Sequence, residues 1–453
     1  MKNRKIYFLG IGGIGMSAIA QYFLQNDCEV YGYDLTESPI TQFLCSKGAK
    51  IHYSPDVSSI PKDIDFVIYT PAVPEDFPEY QYFVDNKVQI YKRSKALGMI
   101  TDNYKTVAVA GTHGKTTTTS MVAHLMNSSK HSLLAFIGGI SKNLNDNYLY
   151  RKLDDDVFAV VEADEFDRSF LTLHPYVSVI TSMDADHLDI YGDSTRLVEA
   201  FQQFADQSQN VFVEEKIACK INKDNGRKFV YGLGNTCDSY PYNIHFGNEF
   251  TTFDLHTPFC EIKSLKIQLH GIYNVLNATA AISAFLLSLS PFEDGELQHC
   301  VREVVKGMEE FSGVKRRFDY IIKREDFVYI DDYAHHPKEM SSFFNAVKEL
   351  YPGKRICAVF QPHLYSRTRD FAEDFAKALS IPDEVILLPI YPAREKPIPG
   401  ITSDFLLEKI DGNNKLLLQK HQLFDYLKDH KPDVLLTVGA GDIDRLVPKL
   451  SEL

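Results

Sequence analysis

Short apolar runs alternate with stretches of helical spacing through the first hundred residues. Lys5–Leu9, Glu29–Tyr33, Asp65–Thr70 and Val88–Tyr91 read as strands, while Met16–Leu24 carries apolar residues at helical spacing. That alternation predicts βαβ units on a parallel sheet. A second unit starts near Lys105, with a strand at Thr106–Ala110, a glycine-bearing loop and a helix to Asn127. Val157–Val161 and Val177–Thr181 read as further buried strands. From Val211 to His270, short runs are broken by Gly232, Gly234, Asn235 and Gly247, which predicts an irregular β-rich insertion. Helices are expected at Asn274–Leu289 and Glu296–Glu309. After Phe311-Ser312-Gly313 a third alternating unit places strands at Phe327–Ile330, Arg355–Phe360, Val385–Leu388 and Val434–Val438. The expectation is three consecutive α/β domains, 1–104, 105–312 and 313–453.

Length supports this division, since 453 residues exceed what one core serves. A hydrophobic share of 44% and a charged share of 24% are those of an ordinary globular protein. The net charge of −13 argues against a nucleic-acid partner. An anionic nucleotide would have to be held locally, by helix N-termini and a few cations. The seven cysteines are scattered and odd in number, so they read as reduced thiols rather than a disulfide or zinc framework. The amino-terminal MKNRKIYFLGIGG is too short an apolar run, broken at Gly10, Gly12 and Gly13, to be a signal peptide. No segment is expected to span a membrane, and the protein is expected in the cytoplasm. Oligomeric state is not encoded legibly.

Two glycine loops carry the strongest chemical signals. Gly10-Ile-Gly12-Gly13-Ile14-Gly15 lies between the first strand and helix, with Asp34 closing the second strand. Glycines admit a pyrophosphate close to the backbone, and the helix supplies N–H donors and positive potential. The acid suits a ribose or base contact. Gly111-Thr112-His113-Gly114-Lys115-Thr116-Thr117 follows another strand and opens another helix. Its N–H groups would cradle the phosphates of ATP, Lys115 would face the β- and γ-phosphates, and the Thr116 hydroxyl would reach Mg²⁺. The spacing is two residues shorter than the general GxxxxGK[ST] pattern.

Acidic turns close two central strands, at Glu162-Ala-Asp164-Glu165-Phe-Asp167 and Asp184-Ala-Asp186-His187-Leu-Asp189. Hard oxygen donors there suit Mg²⁺, although a solvated turn has the same composition. Asp154-Asp155-Asp156 precedes a strand and reads as exposed. Asn274 and Asn277 share one helix face and suit an adenine edge, unless Asn274 is an N-cap. In the last third, Asp331-Asp332-Tyr333-Ala-His335-His336-Pro337 and Gln361-Pro-His363-Leu364-Tyr365-Ser-Arg367 are read as turns following strands. They could orient a small polar substrate, with Arg367 gripping a carboxylate through two N–H groups. Lys315-Arg316-Arg317 reads as a solvated charge run or an anion contact.

Taken together, GIGGIGMSAIA, AGTHGKTTTTSM, EADEFDRSFL, DADHLDIYG, HGIYNVLNA, FSGVKRRF, DDYAHHPKE and FQPHLYSRTRDF closely resemble the muramyl ligase family, in its order and over nearly the whole chain. The resemblance implies a Rossmann-like first domain holding a UDP-sugar, a P-loop ATPase-like central domain, and a Rossmann-like third domain that closes over both. It implies ATP-dependent ligation to the carboxylate of UDP-N-acetylmuramate through an acyl phosphate. It assigns Gly12, Gly13, Ile14 and Gly15 to the sugar pyrophosphate, and Thr116, Glu162 and His187 to magnesium. Asn274, Asn277 and Arg317 fall to ATP, and Tyr333, His335, His363 and Arg367 to the incoming amino acid, with His335 the candidate base. Relatives that add later amino acids use a carbamylated lysine. The stretch after His187, through Phe201-Gln202-Gln203-Phe204, offers none, which fits the branch that adds L-alanine. That branch often has Arg where this chain has Leu364, which shifts the carboxylate onto Arg367. The competing readings are a ligase for recycled murein tripeptide and an NAD-dependent oxidoreductase. The second leaves the loop at 111–117 unexplained.

Overall fold

A computed structural model describes residues 2–184, 194–393, 395–412 and 414–453. Parallel strands β1 (Lys5–Leu9), β2 (Glu29–Tyr33), β3 (Lys50–His52), β4 (Phe66–Tyr69) and β5 (Gln89–Lys92) form a five-stranded sheet ordered β3-β2-β1-β4-β5. The crossovers run through α1 (Ile14–Gln25), α2 (Pro39–Ser46) and α3 (Pro78–Asp85), and α4 (Arg93–Thr101) leads out. Strand order reverses beside β1, so the loop after β1 sits at the switch point where open α/β sheets bind ligands.

The second sheet has seven strands, β6 (Lys105–Ala110), β7 (Leu133–Ser141), β8 (Asp146–Arg151), β9 (Phe158–Ala163), β10 (Val177–Ile180), β11 (Asn210–Glu214) and β12 (Arg227–Tyr231). Their order is β12-β11-β10-β6-β9-β7-β8, parallel except for β8. Helix α5 (Lys115–Ser128) leaves the end of the central strand β6. The β7–β8 hairpin had no expectation in the sequence. Its Gly138-Gly139 pair and polar turn interrupt the apolar run, and burial comes from neighbours on the sheet rather than from local alternation.

The expected insertion at 211–270 divides in two. β11 and β12 pair in parallel with the central sheet and extend it. Only β13 (Tyr240–Phe246), β14 (Thr251–His256) and β15 (Glu261–Ile267) form a separate three-stranded sheet. The helix Ile272–Leu289 corrects a second expectation, because it is long and apolar enough to cross a membrane. It is 72% buried within the protein, as a core helix should be when apolar residues surround it on all sides. The cysteines are all free.

The last sheet comprises β16 (Asp319–Lys323), β17 (Val328–Asp332), β18 (Ile356–Phe360), β19 (Glu384–Leu387), β20 (Lys415–Leu417) and β21 (Val434–Val438). It is ordered β16-β17-β21-β18-β19-β20, with β16 antiparallel. Strands β17, β18 and β21 are buried throughout. Their burial reflects packing on both faces.

The chain packs as two compact units. One comprises Met1–Asn243, Phe253–Leu265 and Leu276–Phe311, and the other Ile244–Thr252, Lys266–Val275 and Ser312–Leu453. The first two sheets fall in the same unit because one apolar core runs through both, from Phe8 and Phe23 on one side to Phe136, Val161 and Phe204 on the other. In the second unit two cores, around Phe360 and Tyr329, cover the two faces of the last sheet.

Candidate functional site: two glycine loops and a histidine cluster

The first glycine loop turns between β1 and α1, held by Gly10 N–H and Ile11 N–H donating to Tyr33 O. Asp34 accepts from Gly12 N at 2.7 Å, and a Cβ on Gly12 would meet the same carboxylate at 2.9 Å. One Asp34 oxygen is therefore spent on shaping the loop. The backbone of Gly15 lies against Arg93, whose Nη1 would meet a Cβ there at 2.7 Å. Helix α1 is also tied to the second sheet: Asn147 donates to Ile14 O at 2.5 Å and Gln21 to Asp146 at 2.9 Å. No motif signals Asn147, Asp146 or Arg93.

The second loop is pinned from β10. Ser182 Oγ accepts from His113 N at 2.8 Å and lies 2.9 Å from Thr112 Oγ1, and Thr181 bonds His113 O. His113 pairs with Asp184 at 3.2 Å. Gly111 (φ +134°) leaves 2.1 Å between a would-be Cβ and Thr181 Oγ1, so only glycine fits there. Gly114 (φ +80°) starts α5, and Asn277 Oδ1 lies where its Cβ would be, at 2.6 Å. Asn277 thus packs against the cradle itself. Thr116 and Thr117, in the first turn of α5, are buried.

Lys115 Nζ donates to Gly111 O at 2.6 Å and to the two Glu165 oxygens at 3.0 and 2.8 Å. Burial alone would lower its pKa. Glu165, with Asp164 and Glu162 behind it, reverses that and raises it, so the ammonium stays charged. Glu162 lies beside the cradle because β6 and β9 pair with Val109 opposite Glu162. Its Oε2 accepts from Gly138 N at 3.1 Å. Thr116 and Glu162 are hard oxygen donors, and no group of three or more His, Cys, Asp or Glu that could cage a metal occurs among the described residues. Such a sparse set fits Mg²⁺, which keeps water and phosphate oxygens in its shell. His187, Asp186 and Asp189 lie outside the described residues.

In the second unit, Tyr333, His335 and His363 come together, with ring centroids 5.3 Å and 6.2 Å apart in sequence. His335 Nδ1 donates to Tyr333 O at 3.0 Å, so in the neutral ring the lone pair lies on Nε2. His363 stacks on Tyr391 at 5.8 Å. Leu364 holds φ +70°, strained for a leucine, and opens the short helix Tyr365–Asp370 that carries the buried Arg367.

Three consecutive families match the chain: the Mur ligase family catalytic domain over residues 5–105, the Mur ligase middle domain over 109–285, and the Mur ligase glutamate ligase domain over 316–441. The UDP-N-acetylmuramate–L-alanine ligases of Flavobacterium psychrophilum and Christiangramia forsetii are 45% and 43% identical to it, over 99% of this chain and 97% of theirs. The chain belongs to the Mur ligase family. Its fold is that of the Thermotoga maritima UDP-N-acetylmuramate-alanine ligase, with a TM-score of 0.82 at 29% identity, covering 99% of this chain and 98% of that one. A murein peptide ligase from Psychrobacter arcticus shares the fold at 19% identity, with a TM-score of 0.70 over 100% of this chain and 99% of that one. The three α/β domains expected from the sequence are those of the family.

The structure differs from several sequence expectations. Asn274 is not an N-cap: it is the third residue of the helix Ile272–Leu289 and donates to His270 O at 2.7 Å. Asp331 and Asp332 do not follow a strand but end β17, buried. Arg316, half-buried, is paired within its own unit. It binds Asp331 at 3.1 Å and Gly439 O at 2.5 Å, over the Tyr333 ring. Arg317 also lies over Tyr333, at 5.0 Å. His336 caps the helix Pro337–Leu350. The run Asp154-Asp155-Asp156 is exposed, as expected.

Proposed function

We propose that this Mur ligase couples ATP cleavage to amide formation between L-alanine and the carboxylate of UDP-N-acetylmuramate, releasing ADP and phosphate, in cytoplasmic peptidoglycan precursor synthesis. The observation that carries the reading is the pair of phosphate cradles in one chain whose full-length relatives bear that name. The domains run 1–104 for the UDP-sugar, 105–312 for ATP and 313–453 for the amino acid.

Gly12 and Gly13 let the sugar pyrophosphate approach the backbone, Ile14 and Gly15 offer it the N–H groups that open α1, and Asp34, which shapes the loop through Gly12 N, takes the ribose. Gly111 to Thr117 enclose the triphosphate, with Lys115 as the point charge at its far end. Carboxylate attack on the γ-phosphate brings anions together, so Lys115 and the α5 N-terminus stabilise the transition state by fixed positive potential. Thr116 and Glu162, with His187, would hold Mg²⁺, whose charge would further neutralise the transferring phosphoryl group. The acyl phosphate formed has a good leaving group, and the neutral amine of alanine displaces phosphate from it. Arg367 holds the alanine carboxylate, Tyr333 and His363 wall the site, and His335 Nε2 takes the ammonium proton. Asn274 and Asn277 are the adenine-side amides.

Phosphate release measured with UDP-N-acetylmuramate and ATP should depend on L-alanine, more weakly on glycine or L-serine, and not on murein tripeptide. Tripeptide-dependent release without an L-alanine response would overturn the assignment.

A further inference from the structure

The ammonium of Lys115 has three N–H bonds, and all three are directed at protein acceptors: Gly111 O and the two oxygens of Glu165. Glu165 is 1% exposed and the Lys115 side chain 15%. A carboxylate buried to that extent is tolerated only with its partner charge in place.

The pair is built by the sheet. β6 and β9 are parallel with Ala110 opposite Ala163, so Glu165 lies two residues past the end of one strand and the cradle begins past the end of the other. Beyond it the backbone reverses through Asp167 and Arg168, both with positive φ, +53° and +54°. Hydrogen bonds from Arg168 N to Glu165 O (3.0 Å) and Phe170 N to Asp164 O (2.9 Å) close the turn. Phe170, fully buried between Phe201 and Phe204, anchors it. Lys92 to Asp167 (3.0 Å) and Thr172 to Ser94 O (2.8 Å) fasten the far side. Glu165 therefore projects from a turn that is held on both sides.

For Lys115 to contact a phosphate oxygen, at least one of its three N–H bonds has to change acceptor. We propose that Glu165 is a positioning residue for Lys115: it competes with the triphosphate for the ammonium, and by retaining one contact it fixes where that ammonium stands during phosphoryl transfer. This rests on reading 111–117 as the ATP loop. Competition weakens nucleotide binding, while positioning accelerates the reaction. One residue should thus oppose affinity and support turnover.

Glu165→Gln keeps the shape and one acceptor but removes the charge. Calorimetric titration with ADP and with a non-hydrolysable ATP analogue, without the other substrates, should show binding tightened by about threefold or more. The kcat for phosphate release should fall by about tenfold or more. Glu165→Asp should recover part of the kcat. In a Lys115→Met background, Glu165→Gln should leave nucleotide affinity unchanged, because its effect runs through the lysine. Weaker nucleotide binding by Glu165→Gln, an unchanged kcat, or the same affinity change with Lys115 removed would each overturn the proposal. If wild-type protein binds ADP but shows no L-alanine-dependent turnover, the reaction assignment fails while the affinity arm still tests Glu165.

Discussion

Lys115 keeps its charge in a buried position because both oxygens of Glu165 face it. Asp332, also buried, does not fare as well. Burial drives its pKa up to about 6, although Arg317 and the N–H groups of Phe318 and Ala334 pull the other way. His270 in the same unit is driven the opposite direction, down to about 4, by burial and by Lys323. Neither of its ring nitrogens has a hydrogen-bond partner. Burial favours the neutral form of any group, and close counter-charges and hydrogen bonds to the charged form oppose it. The glycine-loop unit places such a counter-charge on its key cation. The carboxyl-terminal unit instead leaves its buried imidazole uncharged and its buried acid with a raised pKa.

The largest test of this contrast is Lys115→Ala. Loss of the Lys115 ammonium should lower phosphate release by about a thousandfold, with binding of UDP-N-acetylmuramate preserved in a separate titration. Turnover near wild type would remove Lys115 from the chemistry. Next comes Arg367→Ala, expected to raise the KM for L-alanine by about a hundredfold with a smaller change in kcat. A kcat loss at unchanged KM would show that Arg367 does not hold the substrate carboxylate.

The two buried titrating groups of the second unit give opposed pH slopes. Asp332 has its folded pKa raised from 3.8 to about 6, so its stabilising contribution is full below 3.8 and lost as pH rises through 6. His270 has its folded pKa lowered from 6.5 to about 4, so its contribution is present above 6.5 and lost as pH falls towards 4. Between pH 4 and 6.5 the two partly cancel. Urea denaturation at pH 4.5, 5.5 and 6.5 should show stability rising more steeply with pH in Asp332→Asn, and more flatly or falling in His270→Phe. Parallel slopes in all three proteins would break the comparison. The smallest effect is expected for Leu364→Gly, which relieves the positive φ and should change stability by about 1 kcal/mol or less.

Much of the fold was legible in local patterns. β1, β2 and β21 match their expected bounds, and the helix after each glycine loop begins where the motif places it. What escaped was decided by neighbours. The β7–β8 hairpin is buried by the sheet and by α1, not by its own alternation. β11 and β12 read as an insertion because nothing local says that they continue the central sheet. Arg316 read as part of a solvated charge run or an anion contact because its partner Asp331 is 15 residues away on a buried strand. Glu165 stood inside a recognised acidic turn, yet composition could not separate it from Glu162.

The sequence by itself determined the two glycine cradles, the alternation that builds three α/β domains, and the side-chain chemistry that marks the family. Those depend on short-range spacing and on backbone freedom at glycine, which a linear string displays directly. The tertiary structure alone decided which carboxylate Lys115 meets, that Asn277 packs on Gly114, that Tyr333, His335 and His363 form one cluster, and which buried groups stay charged. Those outcomes turn on distances between residues far apart in the chain and on exclusion of water around them, and neither quantity exists before the sheets assemble.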